Sequence, residues 1–398
     1  MSAIGTDTQR YPATLEGRNL TGGGGLRLHL DEGRISGIER ISSADMAPGA
    51  PFLAPGLIDI QVNGYGGYDV NGQTATVEGI IAITKRLASE GVTTWVPTII
   101  TASEEMICRS LALVKQAKES DPVVDAAVPF AHVEGPFLSD QDGPRGVHSL
   151  EEIRPVDADE VARWCKAGPV GYLTLSPHWD DSAREIAKIT AMGITVSLGH
   201  TQASPEQIRA AVDAGAALST HLGNGIFAQL PRHPNAIWAQ LADDRLTCGL
   251  IADGHHLPAD TLRVMLRALG PERAMLVSDS VELAGALPGR YTTAVGGDVE
   301  LSPTGRLSYV GTSFLAGSAV NLAHCLKFTV GSAGLSLADA VSLATRNPAR
   351  VISRCLGRTG AAAGAPRGAL IAGARADVVE LSADATVCGV VRGGQRLA

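Results

Sequence analysis

The sequence predicts an α/β fold: a TIM-like (β/α)8 barrel carrying a small β-sandwich domain formed from both termini. Three observations predict it. Both ends of the 398-residue chain read as short strands broken by glycine turns, the middle alternates apolar β-type runs with stretches of helical period, and those runs number eight. Eight parallel strands are what a closed barrel of this kind needs.

The opening stretch is punctuated by Gly22 to Gly25 and by the turn at Asp31-Glu32-Gly33, as small antiparallel hairpins are. From about Leu370 the tail repeats the pattern with Ala376-Asp377-Val378-Val379-Glu380-Leu381, then Val387 to Val391, then the Gly393-Gly394 turn. Residues 1–55 together with 371–398 are therefore expected to form the β domain, and residues 56–370 the barrel. Barrel strands are expected around Leu57-Val62, Thr94-Pro97, Phe130-Glu134, Tyr172-Leu175, Thr195-Leu198, Ala217-His221, Thr247-Ile251 and Met275-Ser278. Amphipathic helices fall between them at Val77 to Glu90, Ser204 to Ala214 and Pro258 to Leu269. Ser204-Pro205 followed by Glu206 and Gln207 has the chemistry of a helix start: a capping hydroxyl, a proline in the first turn, then polar residues.

Composition excludes several functions. Apolar residues make up 45% of the chain and charged residues 19%, enough for a large core and too apolar for disorder. A net charge of -8 without a basic run argues against a nucleic-acid surface. No uncharged apolar run approaches the roughly 20 residues of a membrane span, so no membrane association is expected. Met1 to Leu20 contains Asp7, Arg10, Glu16 and Arg18 and lacks a secretory pattern, so a cytoplasmic location is expected. The six cysteines form no Cys-x-x-Cys pair and fit buried thiols in a reducing compartment.

Barrel enzymes work at the C-terminal ends of their strands. Four of the expected strands end in a residue type that can bind a metal or carry a proton: His132-Val133-Glu134, Leu198-Gly199-His200, Thr220-His221 and Val277-Ser278-Asp279. Ligands converging from separate strands onto one open cavity suit a catalytic zinc, which takes three protein ligands and leaves a position for water. Any one of these residues has an ordinary structural explanation; the conjunction of four does not.

These runs carry a resemblance. His132 to Phe137, Ser197 to Thr201, Thr220 to Asn224, Ile251 to His256 and Ser278 to Gly285 are similar to N-acetylglucosamine-6-phosphate deacetylases of the amidohydrolase superfamily. So are Leu53 to Asp59, Asn63 to Gly67 and Gly373 to Asp377, which extend the likeness over nearly the whole chain. The resemblance implies hydrolysis of an N-acetyl group on an amino sugar phosphate. It implies Glu134, His200 and His221 as metal ligands, Asp279 as general base and acid, and His148 as the group that polarises the carbonyl. It further implies substrate contacts from Val147, Asn224, Gly225, Leu315, Ala316 and Gly317, and phosphate contacts from Arg232 and His256. The family's phosphate arginine can come from a neighbouring subunit, so a homodimer is implied too. The implied cofactor is one divalent metal ion per chain, zinc in the first place, with iron, cobalt or manganese as alternatives.

The chain also departs from its relatives. Where most amidohydrolases have a His-x-His pair at the end of the first barrel strand, it has Gln61-Val62-Asn63, and an amide is a poor ligand for a transition metal, so a single-metal site is expected. Gly223-Asn224-Gly225-Ile226, Pro231 to Asn235 and Ser280 to Leu283 differ from the usual family loops. N-acetylgalactosamine-6-phosphate or another N-acyl amine therefore stays open as substrate. A cyclic-amide hydrolase and a non-catalytic scaffold are the remaining alternatives; the first lacks its His-x-His pair here, and the second has no reason to keep Glu134, His200, His221 and Asp279 together.

Overall fold

The computed structural model describes residues 13–293, 297–312, 314–359 and 364–397, so the first twelve residues of the expected β domain lie outside the described residues. Eight parallel strands form the barrel: β1 (Leu57–Val62), β2 (Val92–Ile100), β3 (Ala131–Glu134), β4 (Val170–Leu175), β5 (Thr195–Leu198), β6 (Leu218–Ser219), β7 (Thr247–Ile251) and β8 (Ala274–Val277). Each pairs with its neighbour in the chain. Just past their regular residues β8 returns to β1: the Asp279 N–H donates to the Gln61 carbonyl at 3.0 Å, and Val62 bridges Ser280 in parallel.

Strands β1 and β4 are buried at all six of their residues, as near-continuous apolar runs of a covered parallel sheet should be. Three expected strands, β1, β5 and β7, appear with the expected bounds. Strand β6 is two residues long, shorter than the expected Ala217-His221, because the chain leaves extended geometry at His221, whose φ is 29°.

Helix Pro205–Asp213 begins with the full capping box, in which Ser204 accepts from the Gln207 N–H and the Gln207 side chain accepts from the Ser204 N–H. Helix Ala259–Arg273 is interrupted at Gly270, whose φ is 69°, so its regular part stops where the apolar pattern stops, at Leu269. Helix Arg346–Thr359 lies across the N-terminal ends of the strands. Its Val351, Ile352, Cys355 and Leu356 cluster with Ile58, Phe130, Tyr172 and Met275, and this apolar floor leaves the opposite end of the barrel for polar chemistry.

Strands Thr14–Asn19, Gly25–Asp31, Arg34–Ile41 and Phe52–Pro55 join Val378–Leu381, Val387–Arg392 and Gln395–Arg396 in the seven-stranded sheet of the β-sandwich domain. The two ends of the chain meet where Val378–Leu381 runs antiparallel to Phe52–Pro55. One element is not anticipated by the sequence pattern: an antiparallel meander of Gly289–Thr293, Gly297–Leu301 and Leu307–Tyr309 after β8. Most of its residues are exposed or only partly buried, so its apolar signal is too thin to stand out.

Trp164, fully buried on helix Ala158–Ala167, stacks on Phe137 with ring centroids 5.4 Å apart, and Phe137 follows the turn after Glu134. Trp164→Ala is expected to cost about 3–5 kcal/mol of stability by opening a cavity behind that turn. Denaturant unfolding checks this, and a loss below about 1 kcal/mol would show the stack to be dispensable.

Candidate metal centre and active site

Each candidate side chain sits where a strand ends. Glu134 is the last residue of β3, and His200, His221 and Asp279 each follow their strand by two residues. Those last three adopt positive φ, at 48°, 29° and 51°, and they are half of the six non-glycine residues that do so among the described residues. Left-handed backbone is costly for residues with a Cβ and persists where the surrounding fold imposes it. Here it turns three functional side chains out of the pleat and over the barrel mouth.

Three atoms able to bind a metal converge. Glu134 Oε1 lies 3.1 Å from His221 Nε2 and 3.4 Å from His200 Nε2, and the two imidazole nitrogens are 3.0 Å apart. Around a tetrahedral ion with bonds of about 2.0–2.2 Å, ligand atoms stand roughly 3.4 Å from one another, so this triangle is close to the size a zinc-class ion requires. The Nδ1–H of His200 donates to the Pro144 carbonyl at 2.8 Å, which turns the Nε2 lone pair toward the triangle. His148 stands beside it, its Nε2 3.3 Å from His200 Nε2, and Glu134, His148 and His200 also fall within 4.8 Å of one another. His221 is the better third ligand, because its Nε2 touches both other ligand atoms whereas the short contact of His148 is to His200 alone. One carboxylate oxygen and imidazole nitrogens, all buried, form a donor set that fits a divalent cation.

Electrostatics agree with a shared charge. Burial pushes the Glu134 carboxyl up, but hydrogen bonds and charge attraction from His200 and His221 outweigh it and hold the group well below the usual carboxylate range. Burial lowers His221, and the bond to Glu134 more than restores it. His148 is held well below the usual imidazole range by burial and by the nearby His200. Asp279 is pushed up to about 6 by burial and by the charge of Glu134.

Gln61 and Asn63 occupy the positions of the missing His-x-His pair, and both serve carboxylates. Gln61 Nε2 donates to Glu134 Oε1 at 3.2 Å, and Asn63 Nδ2 donates to Asp279 Oδ1 at 2.8 Å. Sequence alone marks them as poor ligands; their role as amide donors appears only when the closed barrel sets β1 beside β8 and brings its Gln61 within reach of the end of β3.

The cluster opens into a cavity of about 690 Å³. Val147, His148, Asn224, Gly225, His256, Leu315, Ala316 and Gly317 line it with Glu134, His200, His221 and Asp279. At Gly225 a Cβ would come within 2.9 Å of His200 Nδ1, and its φ of 59° suits glycine, so the ring is packed directly against backbone. Arg232 is the expected residue that the fold does not bring in: it is exposed and absent from the lining. Several lining residues are not anticipated by the sequence. Asp69, raised to about 7 by burial and in part by the charge of Glu282, lines the cavity with Glu282, and Thr293, Tyr309 and Phe314 reach it from the meander and the segment beyond.

The sequence model of the amidohydrolase family matches residues 52–396. Among characterised relatives, the chain is 34% identical over 354 residues to the N-acetylglucosamine-6-phosphate deacetylase of Mus musculus, covering 86% of this chain and 82% of that one. It is 31% identical over 338 residues to the N-acetylgalactosamine-6-phosphate deacetylase of Shewanella, covering 82% of each. Among solved structures, the N-acetyl-D-glucosamine-6-phosphate deacetylase of Mycobacterium smegmatis superposes with a TM-score of 0.83 at 30% identity, over 97% of this chain and 98% of that one.

One divalent ion per chain is expected on elemental analysis of protein purified without chelator, since Gln61 and Asn63 are committed to Glu134 and Asp279. His221→Ala should lose most of it, because the ion would keep two ligands. Two tightly held ions per chain, or full occupancy in the variant, would refute this ligand set.

Proposed function

Because the chain belongs to the amidohydrolase family, within its N-acetylglucosamine-6-phosphate deacetylases, we propose that it hydrolyses the N-acetyl group of N-acetylglucosamine-6-phosphate to glucosamine-6-phosphate and acetate. The observation that carries the proposal is the convergence of Glu134, His200 and His221, with Asp279 beside them, at the floor of one cavity. Glu134, His200 and His221 would hold one divalent ion, for which zinc suits the nitrogen and oxygen donors and iron, cobalt or manganese are alternatives. Such an ion supplies Lewis acidity and brings the pKa of a water down toward 7.

The chain's own groups do the rest. Asn63 engages Asp279 Oδ1, which orients the carboxylate and leaves its second oxygen for proton transfer. With its pKa raised toward 6, Asp279 is ionised at neutral pH, takes the proton of the attacking water, and returns it to the departing amine. His148 is neutral, and its buried Nδ1 has no protein partner among the described residues. The ring lines the cavity, where it can face the acetyl oxygen as negative charge develops on it. Burial of all these groups strengthens each interaction.

The phosphate requires a cation, and the described residues lining the cavity include neither lysine nor arginine. Arg232 is exposed on its own subunit, so in this proposal it enters the cavity of a partner and the enzyme works as a homodimer. Its six free cysteines suit a reducing cytoplasm, and no described helix is long and apolar enough to cross a membrane. The likeness to an N-acetylgalactosamine-6-phosphate deacetylase makes the other epimer the second substrate to assay.

Purified protein is expected to release acetate from N-acetylglucosamine-6-phosphate, and no release from any N-acetyl hexosamine phosphate would end the proposal. Asp279→Asn should keep the metal and lose about 10²–10⁴-fold in kcat, since an amide holds the shape and carries no proton. Near wild-type turnover would remove Asp279 from the mechanism. Arg232→Ala should lower kcat/KM for the phosphorylated sugar by roughly tenfold to a hundredfold, as loss of a charged hydrogen bond does, with little change for the unphosphorylated sugar. Equal losses on both would mean that the loop, not the charge, had been damaged.

A further inference from the structure

Asp253 stands two residues beyond β7 and is committed at both oxygens. Its Oδ1 accepts the backbone N–H groups of His255 and His256, each at 2.8 Å, and its Oδ2 accepts from His256 Nδ1 at 2.7 Å. The two side chains are 3% and 9% exposed. Between them Gly254, with φ at 79°, makes the turn that folds the histidine back onto the carboxylate, and a Cβ there would meet Phe328 Cε2 at 2.7 Å.

A carboxylate so placed fixes more than a ring plane. Ionised, it only accepts, so His256 Nδ1 must carry a proton whether the ring is neutral or charged. The other nitrogen, Nε2, has no protein partner among the described residues, and the ring lines the cavity. The lining also carries Glu134, Asp279, Asp69 and Glu282, and its other histidines, His148, His200 and His221, are gathered in the cluster around Glu134, so His256 is the imidazole edge of fixed protonation that stands apart from that cluster.

We propose that Asp253 is a positioning residue for substrate recognition: it holds His256 in the Nδ1–H state with Nε2 addressed to an oxygen of the bound sugar phosphate. This rests on the deacetylase reading of the cavity. The competing explanation is that Asp253 only ties the loop through the His255 and His256 amides. Asp253→Asn separates the two. Its amide oxygen keeps both backbone bonds, because only the oxygen accepts, and its NH2 then faces Nδ1 and donates to it. The loop is preserved while the proton of the neutral ring moves to Nε2.

The test combines long-range 15N–1H spectra of the imidazoles with kinetics of Asp253→Asn, His256→Asn and the double variant on N-acetylglucosamine-6-phosphate and its unphosphorylated counterpart. Nδ1–H is expected at His256 in the wild type, with the neutral ring changing to Nε2–H in Asp253→Asn. KM should rise about tenfold with kcat within about twofold, and the same substitution should change KM by less than about twofold when His256 is already asparagine. An equal KM effect on both sugars supports the proposal with a ring hydroxyl donating to the Nε2 lone pair, and an effect confined to the phosphorylated sugar supports it with the ring charged, protonated at both nitrogens and donating from Nε2 to a phosphate oxygen. An undiminished effect of Asp253→Asn in the His256→Asn background, or an unchanged tautomer, overturns it. The nitrogen spectra need no substrate, so an inactive wild type would overturn the deacetylase reading while the spectra still decide whether Asp253 sets the state of His256.

Discussion

The backbone N–H of Asp279 donates to the Gln61 carbonyl at 3.0 Å, and the Asn63 N–H donates to the Ser280 carbonyl at 2.8 Å. These two bonds join the last barrel strand to the first, and the site depends on them. They bring a strand that ends in a proton carrier beside a strand that ends in two amides. Asn63 thereby meets Asp279, while Gln61, one pleat away, meets Glu134. The same closure sets the depth at which β3, β5 and β6 deliver Glu134, His200 and His221, because parallel strands in one barrel share a single register.

Burying this much polar chemistry is costly. Glu134, His148 and His221 are each no more than 3% exposed, and desolvation is the largest influence on all three. What offsets the cost is mutual: a carboxylate between two imidazoles, amide donors on both carboxylates, and a carbonyl fixing the His200 tautomer. Even so, the buried Nδ1 atoms of His148 and His221 have no partner among the described residues. Such a cluster is poised rather than relaxed. A bound cation would relieve it and stabilise the folded chain by mass action.

How much of this was legible in the sequence follows from where each signal resides. Strands β1, β5 and β7 were readable to the residue because each is a short, almost wholly buried run built around β-branched and other apolar residues and bounded by turns. The candidate ligands stand out in the sequence because each closes or closely follows such a run, and the fold brings their side chains together. The meander at 289–309 was not, since a sheet with one solvated face has few apolar positions. Gln61 and Asn63 were visible only as what they are not, namely imidazoles, because an amide's partner is set by which strand becomes its neighbour. Asp253 is similar: the run from Ile251 to His256 drew notice for its histidine, and only the turn at Gly254 shows why the aspartate precedes it.

A division of labour follows from that difference. In the proposed mechanism the groups that break the amide bond stand at strand ends, where backbone bonds on either side hold them, and hydrolysis tolerates little misplacement. The groups proposed to recognise the sugar lie on connections: Asn224 and Gly225 after β6, His256 after β7, and Leu315 to Gly317 beyond the meander. Loops can change without disturbing the barrel. On the proposed reading, a chain that carries Glu134, His200, His221 and Asp279 at strand ends and its recognition groups on connecting loops places the reaction in its most rigid parts and substrate discrimination in its most adjustable ones. In that arrangement a residue such as Asp253 matters out of proportion to its distance from the chemistry, because it gives a loop-borne histidine the orientation that a strand would otherwise have imposed.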